Sequence, residues 1–208
     1  MASIIICNIP KHSVNVPPLS LGFLQAACKK YGVSTQIRDF NYDLWKQTIY
    51  DDKWYDVWLE TNQTLFKGKA FKKFCKEIYN DVMDNWAQEI ANTHHTHGSL
   101  PSFKMLTTRL KKLCPEKKII GGGAPMTQYG KWIIDSKLAD YVVLSEGEEV
   151  LADIVKGKYN EGVITTKQIS DLDALPFPDY SGLDITQYVA GSPIGDQVRD
   201  KNYKKRNE

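Results

Sequence analysis

Three stretches of the 208-residue chain carry side chains whose types and spacing suit chemistry. Residues 8–20 hold Asn8, Pro10, His12, Pro18, Leu19 and Ser20; further on come Gly121-Gly122-Gly123-Ala124-Pro125 and Ser145-Glu146-Gly147-Glu148-Glu149. Three consecutive glycines let a ligand approach the backbone closely, and they equally suit a tight strand-to-helix turn. Glu146 and Glu148 can accept hydrogen bonds from amide or hydroxyl groups, or sit at the positive end of a following helix, and the two roles are compatible. Two nucleotide chemistries are excluded by spacing. The chain has no Gly-x-x-x-x-Gly-Lys-Ser/Thr, and its first strand is followed by Asn8-Ile9-Pro10-Lys11-His12 instead of a Gly-x-Gly-x-x-Gly turn. Cysteines 7, 28, 75 and 114 are too far apart for a zinc ribbon or an iron–sulfur loop and are expected as free, mostly buried thiols. His94-His95-Thr96-His97 lacks a regular scaffold and is expected as an exposed loop, not a metal site.

These loops need elements to hold them. Residues 3–9 form a continuous β-branched run that suits a strand buried on both faces of a parallel sheet. Residues 19–30 repeat apolar side chains at helical spacing, and Gly32 is expected to end that helix. Residues 33–40 alternate as a second strand that ends in Arg38-Asp39-Phe40-Asn41. Strand, helix and strand make a βαβ unit whose strands are parallel neighbours. Residues 42–113 are less regular, with helical stripes over 42–59 and 66–90 that include Trp45, Ile49, Trp54, Trp58, Phe71, Phe74, Ile78, Val82 and Trp86. These are expected to face the core. A helix from Pro101 to Leu113 follows. Strands are then expected at 117–120, 141–144 and 162–166, and helices at 128–136 and 150–156. The three candidate loops thus fall at the carboxyl ends of parallel strands, the edge of an open α/β sheet where ligands bind.

Composition sets the outer bounds. At 42% hydrophobic and 25% charged residues, collagen-like, mucin-like and disordered classes are excluded. The net charge of +2 argues against a nucleic-acid partner, and residues 199–208 alone carry five basic and two acidic side chains, a solvated tail. No apolar run approaches the roughly 18 residues of a membrane span, and the first residues lack a signal peptide's apolar core, so a cytoplasmic protein without a membrane partner is expected.

Four blocks, in order, resemble the N-terminal cobalamin-binding domain of cobalamin-dependent radical SAM proteins. Pro17-Pro18-Leu19-Ser20-Leu21-Gly22-Phe23-Leu24-Gln25-Ala26-Ala27 is similar to the family's Pro-Pro-Leu-Gly-Leu-x-Tyr-Leu-Ala-Ala helix start. Arg38-Asp39-Phe40-Asn41 matches the acidic end of its second strand, and Ile119-Ile120-Gly121-Gly122-Gly123-Ala124-Pro125 its strand-Gly-Gly turn. Ala139-Asp140-Tyr141-Val142-Val143-Leu144-Ser145-Glu146-Gly147-Glu148-Glu149 is similar to Asp-Tyr-Val-Val-x-Gly-Glu-Gly-Glu, with Ser145 in place of the first glycine. Leu175-Pro176-Phe177-Pro178-Asp179-Tyr180 further resembles the linker before the radical SAM core.

The resemblance implies a flavodoxin-like (Rossmann-like) α/β domain over residues 1–168, with 42–113 a helical, aromatic-rich segment within it and 169–208 a linker and basic tail. It implies a cobalamin cofactor contacted by Asn8, Pro10, Pro18, Leu19, Ser20, Asp39, Asn41, Gly121, Gly122, Gly123, Ala124, Pro125, Ser145, Glu146, Gly147 and Glu148. His12, in the loop after the first strand, is the one histidine placed to approach cobalt as an axial ligand, with an ordinary loop histidine as the alternative. The family's third strand, expected between residues 85 and 100, is not evident in Asn85-Trp86-Ala87-Gln88-Glu89-Ile90. The sequence also lacks Cys-x-x-x-Cys-x-x-Cys, so no iron–sulfur cluster is expected and the chain is not a complete radical SAM catalyst. A stand-alone or truncated cobalamin binder is expected, working with a separate catalytic subunit or as a homo-oligomer. The alternative is a degenerate module of the same fold that binds partners without a cofactor. A flavin- or nucleotide-binding protein fits less well, because the first loop lacks a Ser/Thr/Gly-rich phosphate cradle.

Overall fold

A computed structural model describes residues 3–9, 16–48, 80–91 and 100–190. Strand β1 (Ser3–Asn8) pairs in parallel with β2 (Ser34–Asp39), from Ser3 opposite Ser34 to Asn8 opposite Asp39. Helix α1 (Leu19–Lys30) makes the crossover. Its end is a Schellman motif: Val33 N donates to Cys28 O at 2.9 Å, Gly32 N donates to Lys29 O at 3.0 Å, and Gly32 takes a φ of 73°. Gly32 therefore terminates the helix as the sequence predicts, and Val33 packs with Cys28 beneath it.

Helix α2 (Phe40–Thr48) follows β2 directly, and α3 (Asn80–Ala91) packs on α4 (Leu100–Leu113), where Arg109 pairs with Asp84 and Asn80. Trp45, Val82 and Trp86 are buried, as their helical spacing predicts. Ile49, Trp54, Trp58, Phe71, Phe74 and Ile78 lie outside the described residues, as do Pro10, His12, Cys75 and the His94–His97 run. Residues 85–91, part of the stretch in which a third strand is sought, are helical and belong to α3.

The second half returns to a regular α/β alternation. Strand β3 (Ile120–Gly121), helix α5 (Ala124–Asp135), strand β4 (Tyr141–Leu144), helix α6 (Val150–Val155) and strand β5 (Gly162–Thr165) form a parallel ladder in the order β3-β4-β5. Two boundaries differ from the sequence-based expectation. The strand expected over 117–120 shrinks to two residues, because the Asp140 carboxylate takes the Ile119 N–H at 2.7 Å while also binding Lys111. Helix α5 starts at Ala124 and not at Gln128, since Pro125 in its first turn is preorganised for helix and needs no N–H partner there.

Successive β1 residues face opposite sides, so Ile4 and Ile6 join α1, α6 and Val143 in one core, while Ile5 and Cys7 join α2, α3, α4 and α5 in the other. Both faces of the sheet are thus covered, which explains why β1 is an unbroken apolar run. The architecture is α/β, parallel strands flanked by helices, in a Rossmann-like arrangement. One departure matters for function: among the described residues no ladder joins β1 to β3, so the sheet is split into a two-stranded and a three-stranded half.

Past β5 the acidic, proline-rich stretch folds back onto the domain. A 3-10 turn (Leu172–Ala174) leads into a strap laid along α1. Lys30 binds the Ala174 carbonyl at 3.1 Å, Lys29 binds the Asp179 carboxylate at 2.7 Å, and Gln25 donates to the carbonyl of Ser181 at 2.8 Å. The Lys29 ammonium, then Ser181, hold the Asp179 carboxyl well below the usual range. The strap ends in helix α7 (Thr186–Ala190), where the Tyr188 ring packs, tilted by 34°, against Tyr42 in the first turn of α2.

Candidate functional site

The gap between the half-sheets holds a cavity of about 210 Å³. Its walls are Ile4, Ile5 and Ile6 of β1, Ile120 of β3, Val143 of β4, Leu24 of α1 and Leu151 of α6. Its rim is Ser20, Gly121, Gly122, Gly123, Ser145, Glu146, Gly147 and Glu148. An apolar slot with a small-residue and polar rim suits a flat apolar group that carries hydrogen-bonding substituents.

The rim is shaped by backbone. Gly123 caps α5 with a φ of 90°, a conformation that an L side chain rarely adopts. Gly121 is packed from below: a Cβ there would lie 3.0 Å from Met126 Sδ and 3.2 Å from Phe103 Cζ. Gly122 differs, since a Cβ there would meet nothing within 4 Å. Ser145, with a φ of 70°, occupies the left-handed region in which glycine is preferred. The loop that follows it is pinned from the β5 side. Thr166 Oγ1 donates to the carbonyls of Leu144 and Glu146 at 2.9 and 2.7 Å, and the Ile169 N–H donates to the Glu146 carboxylate. Glu148 is the contrast: its Oε2 is buried with no hydrogen-bond partner. On the far side of Glu146 lies a more polar cleft of about 580 Å³, bounded by Glu149, Asp153, Tyr159, Thr165 and Lys167.

The predicted site residues divide into two groups. Ser20, Gly121, Gly122, Gly123, Ser145, Glu146, Gly147 and Glu148 meet on this one slot, and Ala124 and Pro125 open the adjoining helix. Pro18 caps α1, its carbonyl accepting from Leu21 N at 3.1 Å, and Leu19 is exposed beside it. Asn8, Asp39 and Asn41 are absent from the slot lining and are 4%, 3% and 0% exposed. Asn8 Nδ2 and Tyr42 N donate to Asp39 Oδ1 at 2.8 and 3.2 Å, and Tyr188 closes over Oδ2. Burial pushes the Asp39 carboxyl up, although each of these donors acts to lower it, and burial with the Asp39 charge pushes the Tyr188 phenol up. Sequence reasoning missed Tyr188 and the apolar walls at Ile4, Leu24 and Leu151; only the unbroken β1 run hinted at the walls.

Cys7, Cys28 and Cys114 are buried and in no disulfide, and burial pushes the Cys28 thiol up to about 12, which keeps it protonated and inert. Among the described residues no helix is long and apolar enough to cross a membrane.

No protein-family model and no curated protein matches this chain. Solved structures that align with it include the radical S-adenosylmethionine methyltransferase TsrM from Kitasatospora setae with tryptophan substrate and the SAM analog aza-SAM bound. That match is 12% identical with a TM-score of 0.48, over 76% of this chain and 26% of that one. The same enzyme with cobalamin and a [4Fe-4S] cluster bound aligns at 11% identity and a TM-score of 0.48, over 85% of this chain and 28% of that one. This chain therefore spans about a quarter of the length of those structures.

Proposed function

We propose that this chain binds a cobalamin at the carboxyl edge of its parallel strands, with the slot between β1 and β3 as the seat for an apolar part of the cofactor. One observation carries the reading: residues from three separate blocks of the cobalamin-domain resemblance meet on a single cavity, Ser20 from the first, Gly121 to Gly123 from the third and Ser145 to Glu148 from the fourth. The donor set fits a corrinoid, which is a broad apolar disc with amide arms. Gly122 leaves the rim free of a side chain, the isoleucines and leucines form a dry wall, and the Glu148 Oε2 awaits a donor. Cobalamin, where bound, supplies a cobalt centre for methyl transfer or rearrangement. The chain's own residues bind, orient and exclude water. In this reading the chain's part is to hold the cofactor and present it to the group that performs the chemistry.

The test is to mix purified protein with hydroxocobalamin or methylcobalamin, desalt, and record the visible spectrum. Stoichiometric retention is expected; loss of all corrinoid on desalting sinks the reading. An unchanged cobalt spectrum in His12→Ala would separate that histidine from the metal. A second reading, a partner-binding module without cofactor, is favoured by the burial of Asn8, Asp39 and Asn41, with Tyr188 closed over Asp39. It expects no corrinoid uptake together with a stable complex or oligomer in light scattering.

A further inference from the structure

Two carboxylates flank the slot just past β4, and they are in different states. Glu146 is engaged by the Ile169 N–H, while its carbonyl accepts from Thr166. Glu148 lines the slot with a buried Oε2 that has no partner. A buried acceptor without a donor is costly, so either the fold or an incoming molecule must supply one. Among the described residues the fold supplies none. Glu149, the first residue before α6, makes no side-chain cap, and the nearby Leu151 N–H goes to the Gly147 carbonyl at 3.0 Å. Among the described residues no lysine, arginine or histidine lines the slot, and the side-chain hydroxyls on it are those of Ser20 and Ser145.

We propose that Glu148 is the specificity-determining acceptor of this slot, taking a hydrogen bond from a neutral amide or hydroxyl donor of the ligand and rejecting anionic substituents. The inference rests on the cobalamin reading and sharpens it: the corrinoid accepted is one whose peripheral arms are amides. An amide N–H₂ satisfies Oε2. A carboxylate arm in its place brings a second negative charge beside a partly buried one, with no cation among the described lining residues to offset it. Glu146, on the same rim, adds to the repulsion.

The experiment uses the full chain and two probes without a nucleotide tail, dicyanocobinamide, which has amide arms, and dicyanocobyrinic acid, which has carboxylates. Binding is read by equilibrium dialysis with the visible spectrum. The unmodified chain is expected to bind the cobinamide at least about tenfold more tightly, and Glu148→Gln, which keeps the volume but adds a donor, to bring the ratio within about threefold. A readout without any corrinoid accompanies it: Glu148→Met removes the unpartnered oxygen and is expected to raise the Tm of the ligand-free protein by about 2 °C. Equal binding of the two probes by the unmodified chain overturns the inference alone, as does an unchanged ratio in Glu148→Gln or a lower Tm in Glu148→Met. Capture of neither probe while hydroxocobalamin is retained overturns the inference alone; capture of neither probe with hydroxocobalamin also lost on desalting overturns the cobalamin reading and the inference with it.

Discussion

The hydroxyl of Tyr188 donates to Asp39 Oδ2 at 2.7 Å and so ties together residues 149 positions apart. It closes a network that begins at Asn8, and it anchors the strap to the last residue of β2. A carboxylate taken this far out of water needs every donor it can find.

Removing that donor has a signed pH dependence. Tyr188→Phe is expected to destabilise the chain by about 1–3 kcal/mol at neutral pH, measured by urea unfolding. Burial holds the folded-state Asp39 pKa above its unfolded value, so the folded state binds more protons across that interval. The contribution of Asp39 is therefore most favourable below the unfolded pKa and declines as pH rises through the folded one. Losing the Tyr188 donor steepens the decline, so the Tyr188→Phe penalty should grow between about pH 4 and about pH 7. An equal penalty at both would show that the charge on Asp39 is not what Tyr188 stabilises.

The strap depends on a missing side chain. A Cβ at Gly22 would lie 2.8 Å from Pro178 Cβ and 2.9 Å from Tyr180 Cζ, while Asp179 N donates to the Gly22 carbonyl at 3.0 Å. Gly22→Ala gains about 1 kcal/mol of helix propensity but loses about 1–3 kcal/mol to the clash. The strap should lift, and limited proteolysis should cut near the exposed Phe177 faster than in the parent. An unchanged cleavage rate would show that the contact yields without releasing the strap.

Two neighbouring glycines should behave oppositely. Gly121→Ala presses on Met126 and Phe103 and is expected to cost about 1–3 kcal/mol in thermal or urea unfolding. Gly122→Ala meets open space, so stability should stay within about 0.5 kcal/mol while corrinoid retention falls. Full retention in Gly122→Ala would move the cofactor away from this rim.

Ser145 is the one fourth-block residue that departs from the family pattern, and the backbone still asks for glycine there. At a φ of 70°, Ser145→Gly should stabilise the ligand-free chain by about 1 kcal/mol, seen as a higher Tm. A lower Tm would mean that the seryl hydroxyl holds the loop.

Local patterns that report their own environment were legible in the sequence: the apolar run of β1, the helical spacing of α1 with Gly32 behind it, and the β4 run into Ser145. Ser20, Gly121 to Gly123 and Glu148 were also legible as a group, because strand order alone brings carboxyl-end loops to one edge. Asn8, Asp39 and Asn41 share that edge, yet they are buried there, and Asp39 is closed over by Tyr188, far along the chain, whose role no local spacing announces. The stretch around Pro176 and Pro178 reads as linker because proline and aspartate disfavour regular elements. Its docking depends on the bare Gly22 and the Gln25 amide, a complementarity that only the folded surface reveals.

The split between β1 and β3 also bears on how the molecule opens. Parallel ladders are cooperative along their hydrogen bonds, and among the described residues no ladder passes through the middle of the sheet. The β1–β2 pair, braced by α1 and the strap, and the β3–β4–β5 set, braced by α5 and α6, are held to each other by side-chain packing. Native-state hydrogen exchange should accordingly resolve two protection classes, one for Ile4 to Cys7 with Thr35 to Arg38 and another for Val142 to Leu144 with Val163 to Thr165. A molecule wedged against Ile4 to Ile6 on one side and Ile120 on the other would act as the keystone that merges them into one.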